Sequence, residues 1–166
     1  MSRHVKSSEP VQEEAVRLYG ALSELVRVYQ FRDRDRICCH DISVTQCYAM
    51  EALVRLGPRT LNELAAELYL DKSTASRVVT TLERKGYVAR QTHPRDRRSI
   101  LIDLTATGRR LHSRIEKDLI EETRQLLKDF EPAVRDAAPA LLSRLARAAE
   151  GRAGCGPGAA SATCCS

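Results

Sequence analysis

The residues of this chain with the most evident capacity for chemistry are its six cysteines, and they fall into two groups. Cys38, Cys39 and Cys47 make one, and Cys155, Cys164 and Cys165 the other. Thiolates are soft ligands that select thiophilic ions such as arsenite, Cd(II), Hg(II), Zn(II) or Cu(I). Arsenite is satisfied by three sulfurs, the number in each group. The vicinal pairs are equally suited to reversible oxidation. In a reducing compartment, metal or redox chemistry is expected of them rather than structural disulfides. Cys47 has a further reading, because it falls on an apolar helical stripe where a buried thiol simply fills space. No such packing accounts for vicinal pairs in a polar loop or in a Gly/Ala-rich tail. A lone His40 beside Cys39 does not define a Zn(II) site. No role is assigned to it, to His4, or to His112, which is expected as an ordinary surface or interface residue.

The second concentration of chemistry is charge. The 166 residues carry a formal net charge of +5. Eight basic residues (Lys72, Arg77, Arg84, Lys85, Arg90, Arg95, Arg97, Arg98) stand against Glu83 and Asp96 between Lys72 and Arg98, so that segment holds +6 and the remainder about −1. A local positive field of this kind is what phosphate binding requires.

The elements that must position these groups follow from apolar spacing. Val11, Ala15, Leu18, Leu22, Leu25 and Tyr29 recur at 4-3-4-3-4, one stripe on a helix beginning near Pro10. Arg32 to Asp41 is polar and irregular. A second helix, capped by Asp41 or Ser43, carries Val44, Cys47, Met50, Leu53, Val54 and Leu56 and stops at Gly57-Pro58. Thr60 and Glu63 match a capping box for a short third helix. Asp71 caps a fourth from Lys72 to Lys85, which Gly86 terminates. The third and fourth make a helix-turn-helix, whose polar face presents Ser73, Ser76, Arg77 and Thr80 with Thr74 beside them. Small hydroxyls and one Arg can enter a major groove without blocking it. Residues 87–90 and 99–104 then read as two short strands around a basic loop, a wing whose Arg tip suits a minor groove. A long helix from Thr105 to about Phe130, with Leu111, Ile115, Leu119, Leu126 and Leu127, breaks at Glu131-Pro132. A last one reaches about Glu150 with Val134, Leu141, Leu142 and Leu145.

The block from Thr60 to Gly108 resembles the MarR (multiple antibiotic resistance regulator) family. Its most specific parts are the run Asp71-Lys72-Ser73-Thr74-Ala75-Ser76-Arg77, the wing Asp96-Arg97-Arg98 with the family's Asp-x-Arg, and Leu104-Thr105 with Gly108. Helix order extends the resemblance over about residues 10 to 150. His93 stands where members often carry Asp, and is read as a solvated loop residue. The resemblance implies a homodimer with a winged helix in each arm. It also implies binding to a pseudo-palindromic operator on double-stranded DNA, and repression until a ligand or oxidant intervenes.

The fold class expected is therefore mainly α, a winged helix-turn-helix with terminal helices forming a dimerisation region. Residues 1–9 are a flexible start and 10–150 one domain, with dimerisation helices at about 10–35 and 107–150 and the reader at about 43–106. Residues 151–166 are a flexible Cys-containing tail. DNA contacts are expected from Ser73, Thr74, Ser76, Arg77, Arg95, Arg97 and Arg98. A thiolate-bound metal(loid) is expected of Cys38, Cys39, Cys47, Cys155, Cys164 and Cys165, with no obligatory cofactor. No Gly-rich phosphate loop, His-Glu-x-x-His or nucleophile elbow suggests an enzyme. No apolar run approaches a membrane span and no signal-peptide core is evident, so a cytoplasmic protein is expected. Alternatives are a thiol redox sensor, a repressor answering small organic ligands, and, in a different class, a metal-buffering protein.

Overall fold

Four local signals punctuate the chain, and each is found where the residue types require it. Thr60, Asp71 and Thr105 cap helices through side-chain oxygens, and Gly86 takes φ 75°, the left-handed conformation that ends one. The computed structural model describes residues 9–38, 40–92, 94 and 98–150, except for the side chains of 9, 33–36 and 38. The chain divides into two units, Met1–Val44 and Thr45–Ser166.

In the first unit, α1 spans Glu9–Cys38. The helix was expected to give way to an irregular segment at Arg32, but it continues to Cys38. Neither Gly nor Pro occurs between Gly20 and Gly57 to stop it. The alternating Arg and Asp of 32–36 place opposite charges three residues apart, a spacing a helix favours. The Arg32 guanidinium lies 3.9 Å from the Tyr29 ring centre. Of the apolar stripe, Leu22 and Tyr29 are half-buried, whereas Val11, Ala15, Leu18 and Leu25 are exposed. Ile37 and Ile42 are buried.

In the second unit, α2 (Val44–Leu56) buries Cys47, Ala49, Met50, Ala52 and Leu53 and closes at Gly57, whose amide donates to the Leu53 carbonyl at 3.1 Å. β1 (Arg59–Thr60), α3 (Leu61–Glu67), α4 (Lys72–Arg84), β2 (Val88–Thr92) and β3 (Ile100–Leu104) follow. The sheet is antiparallel in the order β1-β3-β2, with Arg59 opposite Ile102 and Arg90 opposite the same residue on the other side. A two-residue strand has no readable alternation, so β1 was not anticipated. It forms because β3 offers an open edge to the stretch before the Thr60 cap. Leu64, Val79, Leu82, Val88, Ile102 and Leu104 supply the buried apolar side chains of these elements.

α5 (Ala106–Leu126) passes into a single 3-10 turn, Leu127–Asp129, short of the Phe130 expected as its end. α6 (Pro132–Glu150) follows the anticipated break and buries none of its residues. His112, expected as an ordinary surface or interface residue, is buried at 6% exposure within the chain itself. The inward face of α5 runs Gly108, His112, Ile115, at i, i+4 and i+7, and takes His112 with it.

Gly108 is required by a close approach. A Cβ there would lie 2.1 Å from the Tyr87 carbonyl oxygen and 3.0 Å from a Leu104 methyl. Gly108→Ala must therefore push the start of α5 off the base of the wing, and a loss of about 1–3 kcal/mol in unfolding free energy is expected from urea titration.

Candidate nucleic-acid interface

Asp71 sets the geometry of α4. It has extended backbone (φ −67°, ψ 155°), and its carboxylate accepts the Thr74 amide at 2.9 Å. It also accepts the Ser73 hydroxyl at 2.5 Å and the Thr74 hydroxyl at 2.7 Å. These bonds, the Ser73 hydroxyl first, hold its carboxyl well below the usual carboxylate range. Behind the cap, Ala75, Val79 and Leu82 are buried, while Ser73, Arg77 and Thr80 are exposed and Thr74 and Ser76 half-buried. Burial of one side leaves the polar side as the only one open to a ligand. The turn into α4 is tight: Leu70 N donates to Ala65 O at 2.9 Å and Tyr69 takes φ 54°. The left-handed region favours Gly or Asn, so a Tyr there gave no sequence signal. The Tyr69 hydroxyl meets Glu150 at 3.3 Å, and that carboxylate's charge raises the phenol's pKa.

The wing strands are tied to both neighbouring helices. Arg90 on β2 reaches Glu83 of α4 at 3.2 Å and donates to the Thr80 hydroxyl at 3.3 Å. Asp103 on β3 accepts Arg109 of α5 at 2.7 Å and Gln91 of β2 at 3.4 Å. Lys72, Arg90 and Arg98 line a cleft of about 330 Å³ together with Thr60, Asn62 and Ser99. Three cations at one cleft make an electropositive surface beside the exposed face of α4.

Of the expected DNA contacts, Ser73, Thr74, Ser76 and Arg77 therefore share α4. Arg98 lies just before β3, at the loop end of the wing strands, exposed. Arg95 and Arg97 lie outside the described residues. Lys72 and Arg90 were counted in the basic segment but not assigned to the site; which strand residue leans on which helix is decided by packing. Of the expected thiol ligands, Cys47 is buried in α2 at 5% exposure, as the packing reading has it. Cys38 is the last residue of α1. Cys39, Cys155, Cys164 and Cys165 lie outside the described residues.

Comparison with known proteins agrees with this architecture. A family model described as MarR family matches residues 40–99. The HTH-type transcriptional regulator YxaD of Bacillus subtilis is 27% identical over 127 residues, covering 76% of this chain and 89% of the relative. A MarR family protein from Bacillus stearothermophilus has a TM-score of 0.76 at 24% identity, over 84% of this chain and 97% of that one. A MarR transcriptional regulator from Methanosarcina mazei Go1 has a TM-score of 0.67 at 27% identity, over 80% and 96%.

The Asp71 cap predicts a pH dependence. A carboxyl whose pKa is depressed on folding adds stability above its unfolded value, near 4, and loses it as pH falls through the folded value. The stability advantage of the wild type over Asp71→Asn should be full at pH 6 and shrink steadily below about pH 4. Chemical denaturation of both proteins across that range measures it.

Proposed function

We propose that the chain is a winged-helix transcription regulator of the MarR family: a homodimeric, cytoplasmic repressor of a pseudo-palindromic operator, released when its thiols bind a thiophilic metalloid such as arsenite. The observation that carries the DNA reading is the exposed polar side of α4, Ser73, Arg77 and Thr80, opposite a buried apolar side and beside the cationic cleft of the wing. A recognition helix in the major groove needs that division. Among the described residues nothing pairs with the Arg77 guanidinium, which suits a base or phosphate contact.

Dimerisation is supported by the apolar residues that single helices leave in water. On α1, Val11, Val16, Leu18 and Leu25 are exposed, as are Val134, Leu141 and Leu142 on α6. A second copy covering them would remove a large apolar surface from water. Among the described residues no helix is long and apolar enough to cross a membrane.

The effector reading rests on composition: two groups of three cysteines, each with a vicinal pair. Burial of Cys47 favours its packing role, so the sensing proposal rests on Cys38 with Cys39 and on Cys155, Cys164 and Cys165. An ion acts as inducer only through higher affinity for the DNA-free state.

Arg77→Ala should lower operator affinity by about 1–3 kcal/mol, roughly five- to 150-fold, in a gel shift at fixed salt, with the protein sedimenting at twice the chain mass. Unchanged affinity removes Arg77 from the interface, and a monomer that holds a full palindrome contradicts the assembly. Arsenite added to the operator complex under reducing conditions should release the wild type and not Cys38→Ser or Cys39→Ser. Release by peroxide alone, reversed by dithiol, would establish redox sensing instead.

A further inference from the structure

The exposed side of α4 is built largely from hydroxyl groups. A hydroxyl reads a base as donor or as acceptor, according to which capacity the protein leaves unused. At the first turn Asp71 decides. Ser73 Oγ donates to Asp71 Oδ1 at 2.5 Å and Thr74 Oγ1 donates to Oδ2 at 2.7 Å. An ionised carboxylate has no proton to give, so both hydroxyl protons point at it and only lone pairs face outward. At Thr80 the arrangement is reversed. The Arg90 guanidinium, which cannot accept, donates to Thr80 Oγ1 at 3.3 Å and leaves the hydroxyl proton for an outside acceptor. Arg77, between them, is a donor only.

We propose that the recognition helix is polarised in its hydrogen bonding: Ser73 and Thr74 accept from DNA, whereas Arg77 and Thr80 donate to it. The inference rests on the DNA reading above and adds which bases the helix takes. The N-terminal residues of a recognition helix lie at base edges. The major-groove donors available to them are the N6 amino group of adenine and the N4 amino group of cytosine, while guanine and thymine present O6 and O4 acceptors in their place. Adenine or cytosine is therefore selected beneath Ser73 and Thr74. Guanine or thymine there sets acceptor against acceptor, and both groups lose water without gaining a partner. Thr80, about two turns further along, donates to a phosphate oxygen and so positions the helix without reading sequence.

The test is selection of bound duplexes from a random-sequence library by the full chain, repeated with Ser73→Ala and with Thr74→Val. Both variants keep the Thr74 amide bonded to Asp71 and hence the helix cap. The expected result is a position in each half-site where the wild type demands adenine or cytosine and one variant does not. Replacing that adenine by purine, or that cytosine by 2-pyrimidinone, removes only the amino group. It should weaken the wild type by about three- to tenfold and leave the matching variant unaffected. The analogue measurement on the wild type needs no variant, so it stands even if a substitution harms folding. Relaxation at a guanine or thymine, relaxation nowhere, or wild-type binding indifferent to the missing amino group overturns the polarity and leaves the DNA reading intact. Failure of the wild type to enrich any duplex overturns the DNA reading and the polarity with it.

Discussion

The carbonyl oxygen of Tyr87 sits where the end of α4, the start of the wing and the start of α5 meet. It accepts the Thr105 amide at 3.0 Å, and Gly108 leaves room for it by having no side chain. The Thr105 hydroxyl completes the junction by donating to the Gly86 carbonyl at 2.7 Å while accepting the Gly108 amide at 3.0 Å. One short stretch, Gly86-Tyr87, is thus held by the cap of the helix that follows the wing. The left-handed Gly86 ends α4, Tyr87 leads into β2, and Thr105 turns β3 into α5. If this junction opened, the strands would lose their fixed relation to α4, and a basic wing would no longer stand beside the polar side of the helix.

Ion pairs extend that arrangement rather than create it. Arg90 spans from β2 to Glu83, and Arg109 from α5 to Asp103, yet both arginines are substantially exposed. Exposed pairs contribute little to stability on their own. Their effect here is geometric: Arg90 also donates to Thr80, so a wing strand helps to orient a side chain on the helix face that DNA would meet. Charge in the reader therefore has two duties. Among the described residues nothing pairs with the Arg77 side chain, while Arg90 is engaged within the protein.

The terminal helices follow a different physical logic. α6 buries nothing, and α1 exposes much of its apolar stripe. Amphipathic helices are stabilised chiefly by covering the apolar side, and it is these exposed apolar residues that the proposed second copy would cover. The cysteines separate along a similar line. Cys47 is buried with the apolar side chains of α2. Of the vicinal pairs, Cys38 is the last residue of α1, while Cys39, Cys164 and Cys165 lie outside the described residues.

What the sequence by itself determined was whatever depends on contacts within a few residues. Thr60 with Glu63, Asp71 with Thr74 and Thr105 with Gly108 are caps closed over three positions, and Gly57 and Gly86 stop helices through their own φ. The 3.6-residue period likewise assigns Ala75, Val78, Val79 and Leu82 to the interior side of α4 and Ser73, Ser76, Arg77 and Thr80 to the outside, although Val78 and Ser76 are only half-buried. Other features needed the tertiary structure, because their causes lie far along the chain. The strand Arg59–Thr60 exists only against β3, about forty residues on. Tyr69 adopts a glycine-like φ in the turn whose amides, its own and that of Leu70, bond back to Ala66 and Ala65 of α3. His112 is buried on the face of α5 that it shares with Gly108 and Ile115, a face that folding turns inward. The donor or acceptor sense of each hydroxyl on α4 belongs partly to both classes. Asp71 settles Ser73 and Thr74 from two and three residues away, whereas Thr80 waits on Arg90 from a strand that only folding brings alongside.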